Sequence, residues 1–154
     1  MIIETRVFGE VDIDPAKIIR FENGIVGFPD LQSFALIHDA DQGENAGIRW
    51  MQSIEEPGFA LPVMDPLIVA PTYNPEVDDE ILKPIGNVEP DELLVLVTVT
   101  VPKDLKKMSV NLRAPIVINV TERKAVQLIL EDDSYKVKFP IYDILDARKK
   151  EGTC

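Results

Sequence analysis

Residues Leu93–Val101 read "LLVLVTVTV", and the fold class turns on them. Val95, Val97, Val99 and Val101 recur at every second position, while the alternate positions pass from Leu94 and Leu96 to Thr98 and Thr100. Period-two patterning with dense β-branching disfavours a helix: two heavy atoms on Cβ crowd the preceding helical turn but fit a pleated surface. The stretch is therefore a strand. Beyond it, "APIVINV", "AVQLIL" and "YKVKF" are expected as three more strands, joined by the short polar connections "TERK" and "EDDS", which have hairpin size.

The N-terminal half extends the same theme. In "IIETRVFGEVDI" two extended runs meet at Gly9 and Glu10, flanked by Val7, Val11 and Ile13, which predicts an opening hairpin. "KIIRF" is a short strand, and "NGIVGFPD" is turn chemistry around a few apolar anchors. "SFALIHD" places Phe34, Leu36 and His38 on one face, and "GIRWMQSI" does the same for Ile48, Trp50 and Gln52. "GFALPVMDPLIVAPTY" is broken by Pro62, Pro66 and Pro71, each lacking a ladder donor, so it belongs at an edge, bulge or corner. Helical signals are confined to "NVEPDELLV" and "PIYDILDARKK". The expected architecture is all-β and mainly antiparallel: one small barrel-like or sandwich domain over residues 1–148, with one or two short peripheral helices. Residues 149–154 are expected to fray.

Composition narrows the function. With 154 residues, 45% of them hydrophobic, the chain can bury a core without staples. Its one cysteine is Cys154, so no intrachain disulfide forms, and a reducing, cytoplasmic compartment is expected. The start "MIIETRVFGE" lacks a basic segment leading into an apolar one, and no run is long enough to span a membrane. Acidic side chains number 27 against 16 basic, a formal charge of -11. Such a surface repels phosphate and argues against direct nucleic-acid binding, whereas it attracts a basic protein. Acidity for solubility alone is the competing reading.

Motifs for catalysis are sparse. His38 is the sole histidine, so a Ser-His-Asp triad or multi-histidine metal site would rest on one residue, and its alternation with Phe34 and Leu36 favours a structural role. Cys154 has no activating neighbour in sequence. "GIVGF" is a turn rather than a phosphate loop, and zinc spacings are absent. The acids gather as "EVDDE", "EPDE" and "EDD", without the alternating Asp pattern and central Gly of a calcium loop. A hydrolase working through clustered carboxylates therefore survives as an alternative, as does a generic acidic interaction module.

The ordered blocks "IRFENGIVGFPDLQSFAL", "WMQSIEEPGFALPVMDP", "LVLVTVTVP", "MSVNLRAPIVIN" and "QLIL" resemble the signature of the flagellar assembly factor FliW family, over Met1 to about Tyr142. This resemblance implies a cytoplasmic binding protein with a small β-barrel-like fold, no cofactor and no catalysis. It further implies two partners: flagellin, and the RNA-binding translational repressor CsrA, which the family antagonises without occupying its RNA site. In that scheme secretion of flagellin frees the factor to sequester the repressor, and accumulated flagellin captures it back.

Three sets of residues are singled out. Glu76, Asp78, Asp79 and Glu80 resemble in place the acidic region that the family presents to the repressor; a solvated loop is the other reading. Phe28, Leu31, Phe59, Leu61 and Met64 are candidates to line a groove for an amphipathic flagellin helix, with core packing as the competing explanation for each. Asn111, Arg113, Pro115 and Asn119 of "NLRAPIVIN" belong to the family signature and are expected to be structural, with Asn111 and Arg113 tying the turn to neighbouring strands by side-chain hydrogen bonds; partner contact is the other reading for these two.

Overall fold

The computed structural model describes residues 2–5, 9–22, 24–25, 27–37, 49–73, 82–86, 92–131, 134–144 and 146, and of residues 84 and 105 it describes the backbone only. The strands in chain order are β1 (Ile2–Thr5), β2 (Gly9–Asp12), β3 (Ile19–Phe21), β4 (Ser33–Ile37), β5 (Arg49–Ser53), β6 (Ala60–Met64), β7 (Leu93–Thr100), β8 (Ser109–Val110), β9 (Ile116–Asn119), β10 (Lys124–Gln127) and β11 (Phe139–Pro140). Hydrogen bonding runs β7-β6-β5-β4-β3-β10-β9 and returns to β7, which closes a barrel of seven strands. All its pairs are antiparallel except β3 with β10. Closure leaves these strands with few free edges. Strand β8 prolongs the sheet from β7, and β11 pairs with β8 outside the ring.

Register decides which side chains enter the barrel, because directly paired residues share a face. Phe34 lies opposite Ile19, Leu36 opposite Met51, Met51 opposite Leu61, Leu96 opposite Ile116 and Ile118 opposite Ala125. These residues, with Phe21, Ile25 and Val63, form the interior cluster. Phe21 and Phe34 meet edge to face at 5.3 Å, and both are fully buried. Burying one such side chain contributes about 1.5–3 kcal/mol.

β7 has apolar neighbours on both faces. Leu94 and Leu96 point into the barrel, while Val97 and Val99 pack outside it with Met64, Val69, Tyr73, Val110, Leu112 and Ile141. A third, smaller cluster joins Ile85, Val117 and Leu128 on the outer face of β9 and β10. The change from Leu to Thr on the inner face marks where β7 leaves the ring: Leu93–Leu96 pair with β9, but Val99 and Thr100 pair with β8.

Several local expectations are revised. Gly9 does not sit in the turn of the first hairpin; it opens β2 opposite Thr5, with φ of 68°, and the link is residues 6–8, outside the described ones. In β5, Trp50 and Gln52 do share one face, as the alternation predicts; it is the outward face, opposite Ile37 and Ala35, while Met51 points into the barrel, and His38 and Ile48 lie outside the described residues. Pro62 falls within β6, opposite Trp50, one residue past the end of the β6–β7 ladder, so the donor it lacks breaks no rung there. Asp65 caps the 3-10 turn Pro66–Ile68 by accepting from the Leu67 N–H at 2.9 Å. "YKVKF" is mostly turn, and only its last residue, Phe139, enters a strand, together with Pro140, because β8 offers just two residues to pair with. Of the two expected helices, residues 142–144 form a short helical turn, and residues 87–91 are outside the described set.

Candidate functional site

The stretch "NLRAPIVIN" is where the sheet changes partner. Between the rung Val99–Val110 and the rung Leu96–Ile116, β7 has only Val97 and Thr98, while the opposing chain has Asn111 to Pro115. The excess chain is forced out as a corner, and its polar groups are consumed internally. Asn111 N–H donates to the Thr98 carbonyl at 3.0 Å, and its Oδ1 accepts from the N–H groups of Arg113 (3.0 Å) and Ala114 (3.1 Å). Arg113 Nε donates to the Leu130 carbonyl at 3.0 Å, while the Arg113 carbonyl accepts from Leu130 N–H at 2.8 Å. The Pro115 carbonyl accepts from Leu128 N–H at 2.9 Å. Side-chain acceptors two and three residues upstream of free N–H groups are what makes Asn suit such turns.

Asn119 closes the other end and is fully buried. Its Oδ1 accepts from Thr121 and Glu122 N–H, both at 3.1 Å, and its Nδ2 donates to the Ile85 carbonyl at 2.8 Å and to Glu122 Oε2 at 3.1 Å. Both oxygen lone pairs and both amide hydrogens are thereby used. A second long-range tie reaches the corner from outside, where Tyr73 donates its hydroxyl to the Leu112 carbonyl at 2.6 Å. Burial, reinforced by Tyr135 at 5.0 Å between ring centroids, raises the Tyr73 pKa above the usual phenol range. Tyr73 ends a proline-broken run with no pattern of its own, so the sequence gives no sign of it. Glu76, Asp78, Asp79 and Glu80 lie outside the described residues, between Tyr73 and Leu82.

The apolar candidates divide. Phe28 and Phe59 meet at 4.8 Å between ring centroids, with Phe28 48% exposed. Leu31, Phe59 and Leu61 are half-buried against the barrel interior. Met64 does not join them: it is fully buried in the outer cluster beneath β7, so its side chain lines no surface groove.

Two hairpin-like turns hold this aromatic end. Ile25 and Phe28 exchange backbone hydrogen bonds, at 3.3 and 2.8 Å. Gly24 precedes them with φ of 69°, and a Cβ there would lie 2.5 Å from the Pro29 carbonyl oxygen, so only glycine fits. The other turn, between β5 and β6, is tied down by Gln52, whose Nε2 lies 2.9 to 3.1 Å from the carbonyls of Ser53, Pro57 and Phe59. Glu55 then joins the two regions, accepting from Gln32 N–H at 3.1 Å and Ser33 N–H at 2.9 Å. Gln52 and Glu55 were not singled out from sequence; a polar residue on a strand's outward face gives no sign that a turn will fold over it.

The exposed part of this end is apolar carbon edged by the exposed carboxylates of Glu22, Asp30, Glu55 and Glu56. Among the described residues no three His, Cys, Asp or Glu side chains group as a metal site, and no helix is long and apolar enough to cross a membrane.

Comparison with known proteins gives one answer throughout. The family model described as FliW protein matches residues 2–141. A flagellar assembly factor FliW of Lachnospira eligens is 45% identical over 152 residues, covering 98% of this chain and 99% of that protein. One from Lachnoclostridium phytofermentans is 38% identical over 156 residues, covering the whole of both. The crystal structure of a flagellar assembly factor FliW superposes with a TM-score of 0.84 at 31% identity, over 92% of this chain and 97% of that one. A seven-stranded barrel with its corner at "NLRAP" and a match along nearly the entire chain have the same meaning: this chain belongs to the FliW family.

Proposed function

We propose that this chain is a non-enzymatic, cytoplasmic flagellar assembly factor that binds flagellin and the translational repressor CsrA in alternation, so that flagellin synthesis follows demand. Membership of the FliW family carries the reading, since the similar proteins bear the name flagellar assembly factor. Two physical features support it. A formal charge of -11 suits a basic, RNA-binding partner, for which charge complementarity supplies steering and selectivity. The Phe28–Phe59 pair, with Leu31 and Leu61 half-buried against the same interior cluster as Phe59, offers apolar area of the kind an amphipathic helix covers.

In this mechanism the acidic residues Glu76, Asp78, Asp79 and Glu80 face the repressor, and the aromatic end takes a flagellin helix. Neither event makes or breaks a covalent bond; the output is a change in which partner is bound. Reversing those four charges is expected to weaken repressor binding at least tenfold at low salt and flatten its salt dependence, with the thermal transition unchanged. Calorimetric titration of the reversed protein with CsrA checks this, and unaltered affinity would remove the acidic segment from the contact.

A further inference from the structure

The one parallel contact of the barrel sets two cations against each other. Arg20 of β3 is the register partner of Lys124 of β10, and both side chains are exposed. Register extends the row to Ser33 of β4 beyond Arg20 and to Asn119 of β9 beyond Lys124. Across four strands the row therefore reads Ser, Arg, Lys, Asn, with no carboxylate in it. Arg123 adds a third basic residue immediately before Lys124, and its carbonyl accepts from the Arg20 N–H at 2.8 Å, which fixes the two strands at this level.

For folding alone this arrangement is unfavourable twice. Like charges held directly opposite repel instead of supporting the sheet. The chain has 27 acidic side chains against 16 basic, yet among the described residues no ion pair engages Arg20, Arg123 or Lys124. Glu122, the residue before Arg123, is turned instead to Asn119 Nδ2 at 3.1 Å. Glu22 follows β3 where the chain doubles back, the Gly24 N–H bonding the Phe21 carbonyl at 3.1 Å. Arg123 is also the only non-glycine residue among those described with a positive φ, 61°, as its N–H closes the β9–β10 turn on the Asn119 carbonyl at 2.8 Å. Glycine would adopt that conformation without the strain.

We propose that Arg20, Arg123 and Lys124 form a docking site for an acidic segment of a protein partner, one that presents two carboxylates on the same face of a helix. Adjacent strands stand about 4.8 Å apart, and carboxylates at i and i+4 of a helix, about 5–6 Å apart, match the spacing of Arg20 and Lys124. Arginine holds a carboxylate through two parallel N–H donors, which adds geometric selectivity to the charge. An extended polyanion such as RNA is the poorer occupant, because its phosphates continue past three cations onto a surface of formal charge -11. The site rests on neither contact of the proposed function: its charge is opposite to the one and its polarity to the other.

The test titrates an Ala-rich helical peptide of about 18 residues, bearing Glu pairs at i and i+4, into isotopically labelled protein while backbone amide shifts are followed. Wild type is expected to respond at Ile19–Phe21 and Arg123–Ala125, and not to bind the same peptide with Gln in place of each Glu. Arg20→Gln with Lys124→Gln should weaken binding at least tenfold and leave the urea midpoint equal or higher, as relief of repulsion requires. Arg123→Gly should raise the midpoint and weaken binding about threefold. Lys106→Gln with Lys107→Gln, in the exposed 3-10 turn Leu105–Lys107, removes the same charge and should keep affinity within about twofold. Absence of any wild-type response to the Glu peptide overturns the proposal, as does equal weakening by the two double variants, which marks diffuse charge alone. A clear fall in the midpoint of the Arg20→Gln, Lys124→Gln protein overturns it too, since the pair would then serve the fold. Single-stranded RNA that binds more tightly than the peptide replaces the acidic protein with a nucleic acid and likewise overturns it.

Discussion

Between Asn111 and Asn119 polar groups turn inward and are consumed, whereas around Phe28 and Phe59 apolar carbon turns outward and is left half-covered. The corner satisfies its amides with carbonyls and N–H groups of the same chain, so removing any member strands a buried partner. The aromatic end satisfies its turns through Gln52 and Glu55 but leaves Phe28 exposed, so removing that ring strands nothing. Variants of the corner should act on stability first. Variants of the aromatic end should act on binding first.

The largest effect is expected at Asn119. Asn119→Ala leaves the buried Ile85 carbonyl and the turn N–H groups without their side-chain partner, and about 3 kcal/mol of stability should be lost, read from urea unfolding. A loss below about 1 kcal/mol would show that the corner tolerates what the comparison says it cannot.

Tyr73 gives a smaller, pH-dependent effect. Its folded pKa is raised above the unfolded phenol value near 10, so the folded state holds the proton more tightly. That contribution is fully present below about pH 10 and is lost as the pH climbs towards the folded value, with a slope of up to about 1.4 kcal/mol per pH unit. Tyr73→Phe should abolish this part of the alkaline slope while costing about 1 kcal/mol at neutral pH. Equal slopes in the two proteins would mean that Tyr73 ionises freely in the fold.

Phe28→Ala should change stability least, by no more than about 1 kcal/mol, since the ring is half in water already. Its flagellin affinity should nevertheless fall at least tenfold, as an aromatic anchor at the centre of a contact does. A variant that lost stability and kept affinity would invert the comparison.

How much of this was legible in the sequence follows the same division. β7 could be read because alternation and β-branching act within one strand, and its Leu-to-Thr change marks a real exit from the barrel. "YKVKF" looks equally extended, yet most of it is turn, since strand formation needs a partner edge and β8 supplies two residues. Met64 had the composition of a groove residue and lies beneath β7, because which face a residue takes depends on register set by a distant strand. The bracing role expected of Asn111 and Arg113 has its counterpart in their bonds to Arg113 N–H, Ala114 N–H and the Leu130 carbonyl. The tie from Tyr73 was invisible, for nothing local links residues 39 positions apart.

The partner switch is the centre of the account, and competition measures it most directly. Flagellin is titrated into a preformed complex of this protein with CsrA, and the apparent repressor affinity is followed at each flagellin concentration. Binding in alternation requires that affinity to fall as flagellin is added, with the reciprocal titration returning the same coupling free energy. Repressor affinity that stays constant up to saturation with flagellin would contradict it.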